Sequence, residues 1–365
     1  MNAPSDADRF RKIHDKVAAG DRLDFDDGLF LFGSHDIIRI GQLADIVRKR
    51  KNGANAYFVY NQHINYTNIC LNRCKFCAYA KDAGASGAYA WTIADIRERI
   101  TSRISEPIRE IHIVGGLNPA LPFDYYTEMI RTVQELRPDV TVKAFTAVEL
   151  DFIARNSGLS LEDAIARLKE AGLSMLPGGG AEVMSPKVQE RLFPRKIDGK
   201  RWLDVMETAH KAGLTANATM LYGHIETHEE RVSHLLALRE LQDRTFGFSA
   251  FIPLAFHPGN TGISHLPSTT AFDDLKVIAI SRLILDNFPH IKAYWVMIGE
   301  KLAQVALSFG ADDLDGTIIE ERISHTAGAT SPKGLTRDQL WRMITTAGYT
   351  PVERDSFYNP VESAH

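Results

Sequence analysis

From about residue 56 to about residue 350 the chain alternates between two kinds of segment. One kind is a short, near-continuous apolar run rich in Val, Ile and aromatics, at 57–66, 110–115, 141–148, 173–177, 214–222, 246–254 and 291–297, with a shorter piece near 313–317. Strands buried on both faces of a sheet have this pattern. The other kind has helical periodicity. Leu161, Ile165 and Leu168 recur at i, i+4 and i+7 behind Ser160 and Asp163, which stand in capping-box positions. Thr92 and Asp95 open another helix in the same way. One junction recurs as Ala171-Gly172-Leu173, Ala212-Gly213-Leu214 and Ala347-Gly348-Tyr349. Each predicts a helix that ends at a glycine able to take the left-handed cap.

Strands alternating with helices over this length predict a parallel sheet with helices outside it. The count is about eight units, which predicts a (β/α)8 TIM-type barrel, full or partial. A doubly wound open sheet is the other arrangement the pattern admits. No Pro-, Gly- or Ser-rich linker divides the chain. Residues 1–50 read as a helical N-terminal extension with Leu43, Ile46 and Val47 on one face, residues 51–355 as the barrel domain, and residues 356–365 as a loose C-terminal tail.

Composition narrows the functional classes. Of 365 residues, 44% are hydrophobic and 24% charged, which suits a folded globular chain. Lys and Arg total 42 against 46 Asp and Glu, so there is no basic excess to attract nucleic acid or an anionic membrane. No run approaches the roughly 18 apolar residues of a membrane span. The polar start, MNAPSDADRFRKIHDKVAAG, lacks a signal peptide's apolar core. The expected location is cytoplasmic, where the sequons at Asn65 and Asn217 carry no meaning.

The three cysteines, Cys70, Cys74 and Cys77, fall within eight residues in C-x3-C-x2-C spacing, directly after the first predicted strand. In a barrel that is the first βα loop, on the face where active sites sit. Three thiolates so close can take three corners of one metal centre. A [4Fe–4S] cluster normally takes four cysteines, and no fourth exists here, so one iron would lack a Cys ligand. An open position marks a catalytic metal rather than a sealed one. A Cys3His zinc knot, closed by His63 or His112, is the structural alternative. A redox pair of Cys74 and Cys77 would leave Cys70 unexplained.

With Phe76 the motif reads C-x3-C-x-Φ-C and resembles that of the radical S-adenosylmethionine enzymes. Over roughly residues 55–355, the stretches HINYTNICLNRCKFCAYAKD, IHIVGGLNPALPFDYY, LPGGGAEV, NATMLYGHIET and FIPLAFHP resemble the aminofutalosine synthase family of that superfamily. AFTAVEL, AYWVM and ADDLDGT favour it over two similar groups, the cyclic dehypoxanthinyl futalosine synthases and the deazaflavin-chromophore enzymes. The resemblance implies a full or partial barrel and a [4Fe–4S] cluster on Cys70, Cys74 and Cys77. It implies S-adenosylmethionine as cosubstrate on the open iron. The implied reaction adds the 5′-deoxyadenosyl radical to 3-[(1-carboxyvinyl)oxy]benzoate, giving 6-amino-6-deoxyfutalosine for menaquinone. The implied electron donor is a flavodoxin or ferredoxin.

The resemblance also suggests S-adenosylmethionine contacts. Gly115 and Gly116 would meet its amino group, although Leu117 replaces the usual third-position Glu and leaves only a backbone role. Glu182 would accept the ribose hydroxyls and the backbone at Tyr79 would face the adenine. Arg201 could clamp the methionyl carboxylate as a bidentate fork. The plainer readings are a strand exit that needs glycine φ freedom, a surface glutamate, packing for Tyr79 and a solvated arginine. His63, His224, His257 and Glu149 stand at predicted strand ends and are candidate pocket residues, with a rim ion pair as the alternative for Glu149. His224-Ile-Glu-Thr-His228 misses the zinc-protease pattern because its Glu is in the third position. The remaining histidines, among them His210, His234, His290 and His325, read as surface or packing residues.

Overall fold

The computed structural model describes residues 5–361. Three helices open the chain: α1 (Asp6–Ala19), α2 (Phe25–Gly33) and α3 (Ile37–Asn52), capped by Ser5, Asp24 and Asp36. Their apolar faces, including Phe10, Leu31, Phe32, Ile40 and Leu43, join the main core. Arg48 on α3 is fully buried, and its guanidinium donates to the carbonyls of Gly53 and Asn55, both at 2.6 Å, and of Ala311 at 3.3 Å. The helical extension is therefore bolted to the barrel by a buried cation that satisfies three backbone acceptors. No helix among the described residues is long and apolar enough to cross a membrane.

Two parallel sheets follow. β1 (Asn55–Val59), β9 (Asp313–Gly316) and β10 (Thr350–Arg354) form a small sheet in the order β10-β1-β9. The large sheet runs in sequence order through β2 (Asn61–Ile64), β3 (Glu110–Ile113), β4 (Thr141–Ala144), β5 (Met175–Leu176), β6 (Thr215–Tyr222), β7 (Phe248–Ala255) and β8 (His290–Ile291). Single parallel bridges, Lys292 to Asp313 and Gln62 to Ile319, tie residues 313–319 to both edges of this curled sheet. The architecture is the expected barrel of parallel strands with helices outside.

Several boundaries differ from the expectation. The run 57–66 is two strands in two sheets, parted at Tyr60. The run 141–148 leaves the sheet after Ala144. Phe145 takes a left-handed φ of 62°, Thr146 caps a helix, and Ala147–Asn156 is helical. Residues 147–154 are buried on every side, so their pattern carries no helical period. Of the run 291–297 only Ile291 is strand, the second residue of β8, and a helical turn follows at Trp295–Ile298. The glycine junctions behave as expected, with φ of 119° at Gly172, 79° at Gly213 and 85° at Gly348.

The chain past Asp355 does not trail off as a loose tail. Ser356 Oγ donates to Glu110 at 2.8 Å, and the Tyr358 ring stacks on His290 with centroids 3.5 Å apart. Residues 362–365 lie outside the described residues.

An ionic layer crosses the barrel interior near the starts of β3 and β9. Lys143 reaches Glu110 at 2.7 Å, Arg354 reaches Asp313 at 2.7 Å and Lys292 reaches Asp315 at 3.2 Å. Burial pushes the Glu110 carboxyl up, but Lys143 and Lys292 outweigh it and hold it well below the ordinary value. Each cation has its own carboxylate, so the layer closes on itself. Glu110→Ala strands Lys143 without its counter-charge, which costs about 3–5 kcal/mol. The expected outcome is a clear drop in the urea midpoint with the slope unchanged, measured by circular dichroism.

Candidate active site

A cavity of about 340 Å³ opens at the C-terminal ends of the strands. Its walls are mainly apolar, with Val114, Leu221, Ile252, Leu254, Phe256 and Met297 among them. All three cysteines line it.

The cysteine loop leaves β2 and is held by backbone bonds on several sides. Cys70 N donates to Lys81 O at 3.1 Å, Leu71 N to Leu117 O at 3.1 Å, Lys75 N to Leu192 O at 2.8 Å and Cys77 N to Cys74 O at 3.0 Å. Asn68 braces the return strand through Gly87 O and Tyr89 N, both at 2.8 Å. Cys74 packs among Val183, Leu192, Phe193 and Phe256. Burial pushes its thiol up to about 12 and raises that of Cys77 as well. Among the described residues no group of three His, Cys, Asp or Glu closes around a single metal ion. Three thiols spread along one loop, with no fourth cysteine in the chain, fit three corners of a larger cluster.

Gly115 and Gly116 run directly under this loop. A Cβ on Gly116 would stand 2.2 Å from Ile69 O and 3.0 Å from Cys70 Cβ, and one on Gly115 would stand 2.7 Å from the Tyr66 ring. Neither glycine has positive φ. Close approach, rather than φ freedom, is what requires glycine here. Gly115 N donates to Glu149 Oε1 at 2.9 Å and Gly116 N to Thr67 O at 2.9 Å. With both N–H groups taken, the pair can offer a ligand only carbonyl oxygen, which suits an ammonium group.

Glu149 lines the cavity, though not from a strand end: it is the third residue of helix Ala147–Asn156. Its carboxylate accepts from Tyr66 Oη, Gly115 N, Thr146 N and Thr146 Oγ1, at 2.8–2.9 Å. Burial raises its pKa against the pull of those bonds. It is a buried bracket that ties the glycine pair to a helix terminus.

The glycine run 178–180 turns the chain into Glu182. Gly178 has φ of 75° and its absent Cβ would lie 1.7 Å from Asn217 O, so only glycine fits. Glu182 is buried and lines the cavity, where it is bonded to Lys196. Sequence reasoning missed Lys196, since nothing in its spacing marks it. Its side chain is buried, with the ammonium 5.3 Å from the Phe76 ring centre. Burial disfavours its charge, but Cys74 and Glu182 outweigh that and raise its pKa.

Tyr79 lines the cavity, its hydroxyl 2.5 Å from that of Tyr89. His257 lines it with Nε2 donating to Met297 O at 2.8 Å. His63 lines it stacked on His112, which sequence separation had hidden. His224 and Arg201 stand apart from the lining. His224 is buried in its own turn, with Nε2 on Leu221 O at 3.1 Å and the ring beside Glu226. Its place two residues past a strand end carried it into the turn rather than the mouth. Arg201 is half-exposed, with Nε on Asp151 Oδ1 at 2.8 Å.

The radical SAM superfamily model matches residues 64–238, and the CofH/MqnC C-terminal region matches residues 245–365. The chain is 45% identical to the aminodeoxyfutalosine synthase of Thermus thermophilus, over 97% of this chain and 96% of that one. It is 40% identical to the aminodeoxyfutalosine synthase of Streptomyces coelicolor, over 97% and 94%. A more distant relative, at 37% over 91% of each chain, is a 5-amino-6-(D-ribitylamino)uracil–L-tyrosine 4-hydroxyphenyl transferase of Methanopyrus kandleri. In fold the chain is similar to methylornithine synthase, with TM-score 0.75 at 17% identity over 93% of this chain and 97% of that one.

Fold and site together define a radical S-adenosylmethionine enzyme, one that uses a [4Fe–4S] cluster and S-adenosylmethionine. Within that superfamily the chain belongs to the aminodeoxyfutalosine synthase family.

The crossing of loop and glycine pair makes a direct prediction. Gly116→Ala forces Ile69 and Cys70 away. After anaerobic reconstitution the variant is expected to lose most of its iron–sulfur absorbance at an unchanged far-ultraviolet circular dichroism spectrum.

Proposed function

We propose that the enzyme adds the 5′-deoxyadenosyl group of S-adenosylmethionine to the enol-ether double bond of 3-[(1-carboxyvinyl)oxy]benzoate. The products are 6-amino-6-deoxyfutalosine, methionine and the lost vinyl carboxylate as carbon dioxide, which water outside the site converts to bicarbonate, on the futalosine route to menaquinone. The observation that carries the reading is that the three thiols of one loop open on one largely apolar cavity beside the glycine pair.

When bound, the cluster and S-adenosylmethionine supply a carbon-centred radical for addition to the alkene. The protein's work is to hold, orient and exclude. Cys70, Cys74 and Cys77 hold the cluster and leave one iron open. Gly115 accepts the methionyl ammonium through its carbonyl. Glu182, set by Lys196, accepts from the ribose, and the backbone at Tyr79 flanks the adenine. The apolar walls keep water and hydrogen donors from the reacting carbon. Holding two reactants in contact converts a bimolecular addition into a step within one complex. A low-potential one-electron carrier of the flavodoxin or ferredoxin type supplies the electron.

The test is anaerobic turnover with reductant, S-adenosylmethionine and the enolpyruvyl benzoate, read by mass spectrometry. An adenosyl–substrate adduct with methionine is expected. Methionine with free 5′-deoxyadenosine and no adduct would overturn the substrate assignment in favour of hydrogen abstraction. Replacing any one of the three cysteines by Ala is expected to abolish both the cluster and the adduct. Glu182→Gln keeps the shape beside Lys196 and is expected to weaken S-adenosylmethionine about tenfold, or ~1.4 kcal/mol, at unchanged iron content.

A further inference from the structure

Below the glycine pair, two imidazoles form a shelf in the cavity floor. His63 and His112 are register partners on β2 and β3, and their rings stack with centroids 4.4 Å apart and planes within 6°. His63 is only 6% exposed, yet both rings line the cavity. Neither ring has a hydrogen-bond partner among the described residues.

Every other histidine, carboxylate and lysine of the lining is engaged. Glu149 has Tyr66, Gly115 and Thr146, and Glu182 has Lys196. Asp315 has Lys292 at 3.2 Å, Glu321 has Ser324 N at 2.8 Å and His325 at 2.9 Å, and His257 has Met297 O. The ionic layer beneath the shelf is closed on itself, with Lys143 committed to Glu110. Both rings open on the cavity, so their nitrogens are within reach of whatever fills it. Two imidazoles without protein partners side by side in a ligand cavity mark a place where the ligand supplies the partner.

We propose that His63 and His112 together bind the ring carboxylate of an aromatic acid, as two N–H donors whose edges share one cavity floor. The proposal rests on the substrate reading above and names the part of the protein that recognises it. The position selects between the substrate's two carboxylates. The vinyl carboxylate sits on the alkene, which must stay at the mouth beside the adenosyl group held by Glu182 and Tyr79. The ring carboxylate points away from it, and His112 lies three residues, roughly 10 Å, below Gly115 along the strand. Burial holds both imidazoles below their ordinary pKa, and His63 lowers that of His112 further, which favours the neutral rings. A neutral imidazole keeps one N–H donor. The facing acids Glu321 and Asp315 pull His63 toward its charged form, but burial outweighs them, and each acid is held by its own partner, His325 and Lys292.

The test uses the cluster-loaded protein with S-adenosylmethionine and no reductant, so that binding is read without turnover. Calorimetry measures affinity for 3-[(1-carboxyvinyl)oxy]benzoate and for its methyl ester at the ring carboxylate. His63→Phe and His112→Phe keep an aromatic stack without the donor. Each is expected to weaken the acid at least tenfold, to leave the ester and S-adenosylmethionine unchanged, and to recover in part in His112→Gln. Equal affinity of wild type for acid and ester, or unchanged acid affinity in the Phe variants, would overturn the proposal alone. No binding of the acid to wild type would overturn the proposal and the substrate reading together.

Discussion

The site depends on a crossing too tight for any side chain. Ile69 O occupies the space where a Cβ on Gly116 would stand, and the Tyr66 ring occupies that of Gly115. The same Tyr66 donates to Glu149, which accepts from Gly115 N and from the cap of helix Ala147–Asn156. One buried carboxylate thus locks the strand β3 exit, a helix terminus and the base of the cysteine loop into one unit. Preorganisation of this kind matters where a reactive carbon must meet one partner and no other, because a small displacement of the reacting groups costs a large part of the rate.

Charge is managed in two tiers around that unit. Deep in the barrel, paired cations and carboxylates close on themselves. At the mouth, Glu182 and Lys196 form a pair beside Cys74. Lys196 places a buried positive charge near a loop whose thiols must become thiolates when they bind iron, and burial alone would keep those thiols protonated. Between the tiers lie the two histidines, whose polar edges the protein itself leaves unmatched.

Much of this was legible in the chain. The barrel followed from alternating apolar runs and glycine-capped helices, and the cysteine spacing after the first strand pointed to the cavity. What escaped has physical causes. The first apolar run looks continuous because β1 and β2 are both buried, although they serve different sheets. AVEL looked like strand because a helix buried all round has no polar face. Glu149 was expected at the mouth and is found there, but as a bracket. His224 fell into a tight turn that its own neighbours satisfy. His112 entered the sequence reading only as a distant zinc-ligand alternative, because strand register, not sequence distance, brings it to His63; Lys196 escaped because a charged residue in a loop reads as solvated until its burial is seen.

The central claim is that three cysteines leave one iron open beside Gly115 for S-adenosylmethionine. The most direct test is pulsed electron paramagnetic resonance on the reduced, reconstituted protein, using S-adenosylmethionine labelled with 15N at the methionyl amino group. The account predicts nitrogen hyperfine coupling to the cluster. A cluster that forms fully, binds S-adenosylmethionine and shows no such coupling would contradict it.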